Sequence, residues 1–154
     1  MEQFNHIFIH YPEYCIIICK QCQSAIIPAN LQTHLNKNHI ELQPRTWKEI
    51  VKVAKQIAGL AWVKEDIIYP PASSTPVPHL PVWTDGFKCT TPKKNESPCG
   101  HIQQHKKNIK AHNRVAHGWV NPQRSSHHIR EDEQHDVPWV ANIHCQQFFK
   151  TGGF

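Results

Sequence analysis

Two sets of paired cysteines followed by paired histidines constrain this chain more than anything else in it. The first, Cys19, Cys22, His34 and His39, reads CxxC, then eleven residues, then two histidines with four residues between them. The second, Cys89, Cys99, His112 and His117, has nine residues between the cysteines, twelve before the first histidine and again four between the histidines. Thiolate and imidazole are the ligands zinc takes in closed four-coordinate sites, and a cysteine pair followed by a histidine pair on a helix supplies them. The eight residues are therefore expected to hold two structural Zn2+ ions. A ββα finger also needs apolar residues beneath the metal. Ile26 and Leu31 offer these in the first set and Ile102 and Ile109 in the second, with Leu31 and Ile109 each three residues before a ligand histidine.

The expected fold is small α+β, with two zinc-stapled ββα-like fingers of the C2H2 type joined by an amphipathic helix and a proline-rich linker. Its divisions are a first finger at 1–43, the helix and linker at 44–86, a second finger at 87–120, and a polar segment with an apolar C-terminal motif at 121–154. Twelve prolines in 154 residues argue against one large continuous core. Units of about 30 residues bury too little apolar surface to fold without a metal or disulfide.

Along the chain, residues 14–19 read as a finger strand, and Pro28 or Asn30 opens a helix through Leu31, His34 and Leu35 to about His39. Thr46 and Glu49 are spaced as a capping box for a helix whose broad apolar face carries Trp47, Ile50, Val51, Ala54, Ile57 and Ala58, with Gly59 as its stop. Residues 69–81 hold five prolines and read as extended linker. The 49 residues between His39 and Cys89 exclude the short linker of tandem fingers that follow a major groove. A second helix is expected over 104–117, ended by Gly118. The stretch 124–136 is polar and irregular, and His127, His128 and His135 read as solvated. The five tryptophans, Trp47, Trp62, Trp83, Trp119 and Trp139, lie outside the ligand sets and are expected to join the modules.

Charge locates a partner. From Phe87 to Gly118 seven basic residues face one acid, while the remaining ten basic and eleven acidic residues nearly cancel. On the second helix Lys106, Lys110 and Arg114 recur at every fourth position beside Lys107, a stripe suited to phosphates, so nucleic acid is the expected partner, duplex DNA foremost. Gln103, Gln104, Asn30 and Gln32 are candidates for reading bases. The alternative is a protein-interaction module in which zinc only holds shape and the tryptophans with Phe148 and Phe149 make contact. No enzyme is expected: each set offers four ligands and no open position, and no HExxH helix, phosphate loop or catalytic triad is present. No small-molecule substrate is evident.

The N-terminus lacks the basic and apolar regions of a secretory signal, and no stretch reaches the ~18 to 20 apolar residues of a membrane span. An intracellular, reducing compartment is expected, the nucleus if DNA is the partner, and there paired Cys and His read as metal ligands. Outside the two sets, His101 and His105 stand near enough to the second to replace a ligand. Strand alternation would put Cys15 on the face of Cys19, and Cys145 reads as a buried thiol.

The segments ICKQC (18–22), THLNKNH (33–39), VPHLPVWTDGFKC (77–89), CGHI (99–102) and WVANIHCQQFF (139–149) together resemble a fungal family, the orsellinic acid biosynthesis cluster protein D-like proteins with C2H2-type zinc-binding segments. The resemblance runs from about residue 10 to 150. It implies intracellular fungal proteins with zinc-binding modules and, in longer members, further sequence beyond the C-terminal motif, so that this chain would be a short or truncated member. It supports metal binding more than any mechanism.

Overall fold

Ile16, Ile17, Ile18 and Cys19 form an uninterrupted buried run, which a strand tolerates only when both of its faces are covered. In the computed structural model, which describes residues 2–71, 73–95, 97–121 and 136–150, that run is the central strand of a three-stranded antiparallel sheet. A short helix α1 (Glu2–Ile7) leads into β1 (Phe8–Tyr11), then β2 (Ile16–Cys19) and β3 (Ser24–Ile26), with Phe8 opposite Cys19 and Cys19 opposite Ser24. Helix α2 (Leu31–Asn38) and helix α3 (Pro44–Gln56) follow. Ile17 and Cys19 face one core with Phe4, Phe8, Leu31, Leu35, Ile50 and Ala54. Ile16 and Ile18 face a second core with Ala61, Ile67, Val77, Leu80 and Phe148. The period of two along β2 thus divides the apolar residues into two layers.

The remaining elements are β4 (Trp83–Cys89), β5 (Ile102–Gln103), α4 (Lys106–His117) and β6 (Trp139–Cys145), with the antiparallel sheet ordered β5-β4-β6. The class is small α+β. The described residues of Met1–Pro81 and Gln146–Phe154 form one unit and those of Val82–Cys145 the other. The second unit has the smaller core: Cys89, Ile109 and Trp139, with Phe87, Cys99 and Trp119 against them.

Several expectations are corrected by the packing. Helix α3 begins at Pro44, with Gln43 as its N-cap and no side-chain capping bond. Proline has no N–H to satisfy and arrives with helical φ, so the chain enters the helix before Thr46 could cap it. Glu49 instead lies 3.6 Å from Arg45. Ile50 and Ala54 of α3 are built into the first core. The proline-rich stretch carries no helix or strand, yet it is packed: Gln146 accepts from Val77 N–H at 2.7 Å and donates to the Val77 and Leu80 carbonyls, both at 3.0 Å. Cys15 turns away from Cys19. It follows a 3-10 turn (Pro12–Tyr14) with φ +59°, and that break in strand alternation sends it to the second core. Among the tryptophans, Trp47 lies on the first core and Trp119 meets Trp139 edge-on at 5.1 Å, whereas Trp62 and Trp83 are exposed. The three histidines His127, His128 and His135 lie outside the described residues.

Strand β6 went unforeseen because its pairing depends on one small residue. A Cβ on Gly86 would stand 2.6 Å from the Ile143 carbonyl and 2.7 Å from Cys145 Sγ, at a place where the β4–β6 register shifts. Gly86→Ala is expected to force the strands apart, costing on the order of 2 kcal/mol and lowering the thermal midpoint of this unit by about 10 °C. An unchanged melting curve would contradict the pairing.

Candidate metal centres

In the first unit the turn between β2 and β3 carries Cys19 and Cys22. Cys22 N–H points to Cys19 Sγ at 3.4 Å, and Gln23 closes the turn with φ +52°. Helix α2 presents His34. Helix α2 ends at Asn38, and His39 is the C-cap with φ −133° and ψ 52°. Its ring comes round to within 5.2 Å of His34, centre to centre.

The second unit repeats the plan with different supports. Cys89 ends β4, Cys99 follows the Pro92–Pro98 bridge, and His112 and His117 lie on α4, which Gly118 terminates at φ +67°. Their rings meet edge-on at 5.2 Å.

In each set the four ligand atoms lie within 4.8 Å of one another. Cys19 Sγ is 3.3 Å and Cys22 Sγ 3.7 Å from His39 Nε2, and Cys99 Sγ is 3.3 Å from His112 Nε2. With Zn–S of about 2.3 Å and Zn–N of about 2.0 Å, the vertices of a tetrahedral site stand about 3.5 Å apart. His34 Nε2 and His117 Nε2 are buried without a hydrogen-bond partner, an arrangement that costs about 1–3 kcal/mol per group unless something else meets them. The donor sets therefore fit a metal ion, and both could hold one.

Electrostatics point the same way. Burial, then the neighbouring His39 and Lys150, pulls His34 down to about 4. Burial, then His101 and His117, lowers His112. Both imidazoles are neutral at pH 7 and keep a lone pair for a cation. Burial pushes the Cys19 thiol up to about 11, so a metal taken there must displace its proton. Glu41 stands 3.5 Å from His39 Nδ1, too long for a firm hydrogen bond but placed to orient the ring.

The candidate substitutes stay outside the clusters. His101 stacks flat on His112 at 4.0 Å and is 2.7 Å from Gln103 Nε2. His105 is exposed at the N-cap of α4, and the Cys15 Sγ–H is directed at the Pro12 carbonyl, 3.7 Å away. Cys145 is half-buried, its thiol pushed up by burial and by Asp85. All six cysteines are free. Sequence reasoning missed Asn113. It is fully buried, donates to the Ile109 carbonyl at 3.0 Å, and accepts from Cys89 Sγ at 3.3 Å and Thr91 Oγ1 at 3.2 Å, tying α4 to the strand that carries the first ligand. Its position four residues after Ile109, on the apolar face, was the available signal.

On the outer side of α4, Lys106, Lys107 and Arg114 are exposed and Lys110 half-buried, and none makes an ion pair among the described residues. Gln103 pairs in β5 and Gln104 is buried, and the helix starts later than expected, at Lys106. Asn30 and Gln32 are exposed. Among the described residues no helix is long and apolar enough to cross a membrane.

The sequence model of the family described as Orsellinic acid/F9775 biosynthesis cluster protein D matches residues 6–118, a span that takes in all eight candidate ligand residues. A curated relative of that name from Emericella nidulans is 31% identical over 105 residues, which cover 68% of this chain. The chain spans only 19% of that relative's length. No solved structure matches.

Proposed function

This chain belongs to the orsellinic acid/F9775 biosynthesis cluster protein D family, and from that premise we propose that it is a non-enzymatic, zinc-stapled module whose second unit contacts nucleic acid. The observation that carries the metal reading is the convergence of two Cys2His2 sets, each with all ligand atoms within 4.8 Å. Four protein donors fill a tetrahedral ion and leave no position for substrate or water, so each zinc serves as a staple of a ββα-like element. In the first unit the β2–β3 turn carries the cysteines and α2 with its C-cap the histidines; in the second, the end of β4 and the loop after it carry the cysteines and α4 the histidines.

Lys106, Lys107, Lys110 and Arg114 then act as phosphate contacts, with duplex DNA the favoured ligand and the nucleus the place of action. The support is their concentration on one helix without acidic partners among the described residues. Binding to a mixed-sequence duplex is expected to weaken steeply with salt, and Lys106→Ala with Arg114→Ala to flatten log K against log salt by about 2, as two lost phosphate contacts require. Salt-independent binding, or none at 50 mM salt, would refute this reading.

A second reading has its own observation. Trp62, Ile68 and Tyr69 of the first unit are 46%, 56% and 59% exposed, more apolar surface than a lone zinc module needs, and a protein partner would cover it. Retained DNA binding in a Trp62→Ser, Tyr69→Ser variant that loses a partner protein would assign the two roles to separate units.

A further inference from the structure

The near cancellation of charge outside the second finger conceals a segregation within the first unit. Residues 44–56 hold four basic side chains and one acidic, whereas the rest of residues 1–81 hold three basic and five acidic. Helix α3, which takes up 44–56, buries Ile50 and Ala54 in the first core, with Trp47, Val51 and Val53 packed against it. At 100° per residue, Arg45, Lys48, Lys52 and Lys55 fall within an arc of about 80° on the side away from Ile50. All four are exposed. Glu49 lies at the edge of that arc, 3.6 Å from Arg45, while Lys48, Lys52 and Lys55 make no ion pair among the described residues. The Lys48 ammonium lies over the Trp47 ring at 5.8 Å, a contact that places it without neutralising it.

We propose that this face of α3 is a second phosphate-binding surface, which takes the backbone of duplex nucleic acid without regard to sequence and independently of the α4 stripe. The composition of the face selects among polyanions. An amphipathic helix that lies on a membrane sinks its apolar side into the headgroup and acyl boundary, and the apolar side of α3 is already buried in the protein core. A protein partner needs aromatic or apolar anchors at the centre of the contact and few lysines there. The exposed arc offers none, being Arg45, Lys48, Glu49, Lys52, Lys55 and Gln56. Phosphate contact requires only cations and amide donors. From Arg45 to Lys55 the cations run about 15 Å along the helix axis, and a duplex carries one negative charge per about 1.7 Å of its own axis, so each cation can meet a phosphate. Because Ile50 and Ala54 fix α3 to the first core, the four charges are presented on an element already held in place.

The test is the full zinc-loaded chain carrying Lys48→Ala, Lys52→Ala and Lys55→Ala, titrated with a mixed-sequence DNA duplex. Alanine favours the helix and all three positions are exposed, so zinc content and melting midpoint should match the parent. The plot of log K against log salt should flatten by about 3, and by about 5 when Lys106→Ala and Arg114→Ala are added. Arginine at the same three positions of α3 should keep the parent's slope. An unchanged slope in the alanine variant would overturn the α3 surface and leave the α4 stripe standing. If that variant at the same time lost binding to vesicles of phosphatidylserine and phosphatidylcholine, the face would belong to a membrane surface instead. Flattening by the α3 changes with none from Lys106→Ala and Arg114→Ala would keep the α3 surface and refute the stripe. Absence of binding by the parent at about 50 mM salt, where phosphate contacts hold far more tightly than at 200 mM, would overturn both.

Discussion

Removing zinc with a strong chelator at neutral pH is expected to unfold the second unit outright while the first loosens and keeps its sheet. The difference follows from the cores. Among the described residues the buried apolar core of the second unit is Cys89, Ile109 and Trp139, and one of the three is itself a candidate ligand. A structural zinc contributes on the order of 10–16 kcal/mol to such a site, far more than a core of this size supplies. The first unit encloses two layers on either face of β2, including Phe4, Phe8, Ile17, Leu31, Leu35 and Ile50 in one and Ile18, Leu80 and Phe148 in the other. Each buried side chain of that size contributes about 1.5–3 kcal/mol, enough together to hold β1 to β3 and α3 without the ion. Hydrogen exchange should therefore show protection lost throughout α4, β4 and β6, lost in α2, and retained in β2. Loss in both units alike would mean that the first core does not stand alone, and no loss in either would mean that zinc is not structural.

Substituting His39 is expected to have the next largest effect. Its Nε2 lies within reach of both sulfurs, its ring packs on Phe8 at 6.4 Å, and the side chain is buried. His39→Ala removes a candidate ligand and opens a cavity beside the first core. Zinc affinity of the first site should fall by more than the 10–100-fold typical of losing an outer-shell partner, and packing loss should add about 2–3 kcal/mol of destabilisation. His101→Ala provides the control, since His101 stacks on His112 without joining its cluster. It should change the affinity of the second site by no more than that outer-shell range. Chelator competition on the two variants measures both, and a larger effect from His101→Ala would mean that the ligand set has been misassigned.

How much of this was legible in the sequence depends on the range of the interactions. The structure brings together the same eight Cys and His residues that spacing singles out, because knuckle and helix are local and a tetrahedral ion tolerates few separations. Gly118 ends α4 where a glycine in the left-handed region should. Helix α3 shows the limit: its apolar face was plain, but not that the first core would receive it, and Pro44 overrode the cap at Thr46. Strand β6 was missed because it joins β4 across more than forty residues, through a contact that only Gly86 allows. Cys15 was misplaced because one residue at φ +59° defeats the alternation from which its direction was read. The proline-rich stretch was legible as irregular, but its anchoring by Gln146 joins positions 69 residues apart.

The most direct test of the central claim is the zinc content of purified protein by elemental analysis, repeated on Cys22→Ser and Cys99→Ser. Two zinc ions per chain, with one lost in each variant, is the predicted result. One ion or none in the parent chain, or a variant that keeps both, would contradict the assignment of Cys19, Cys22, His34 and His39 and of Cys89, Cys99, His112 and His117 as two independent metal centres.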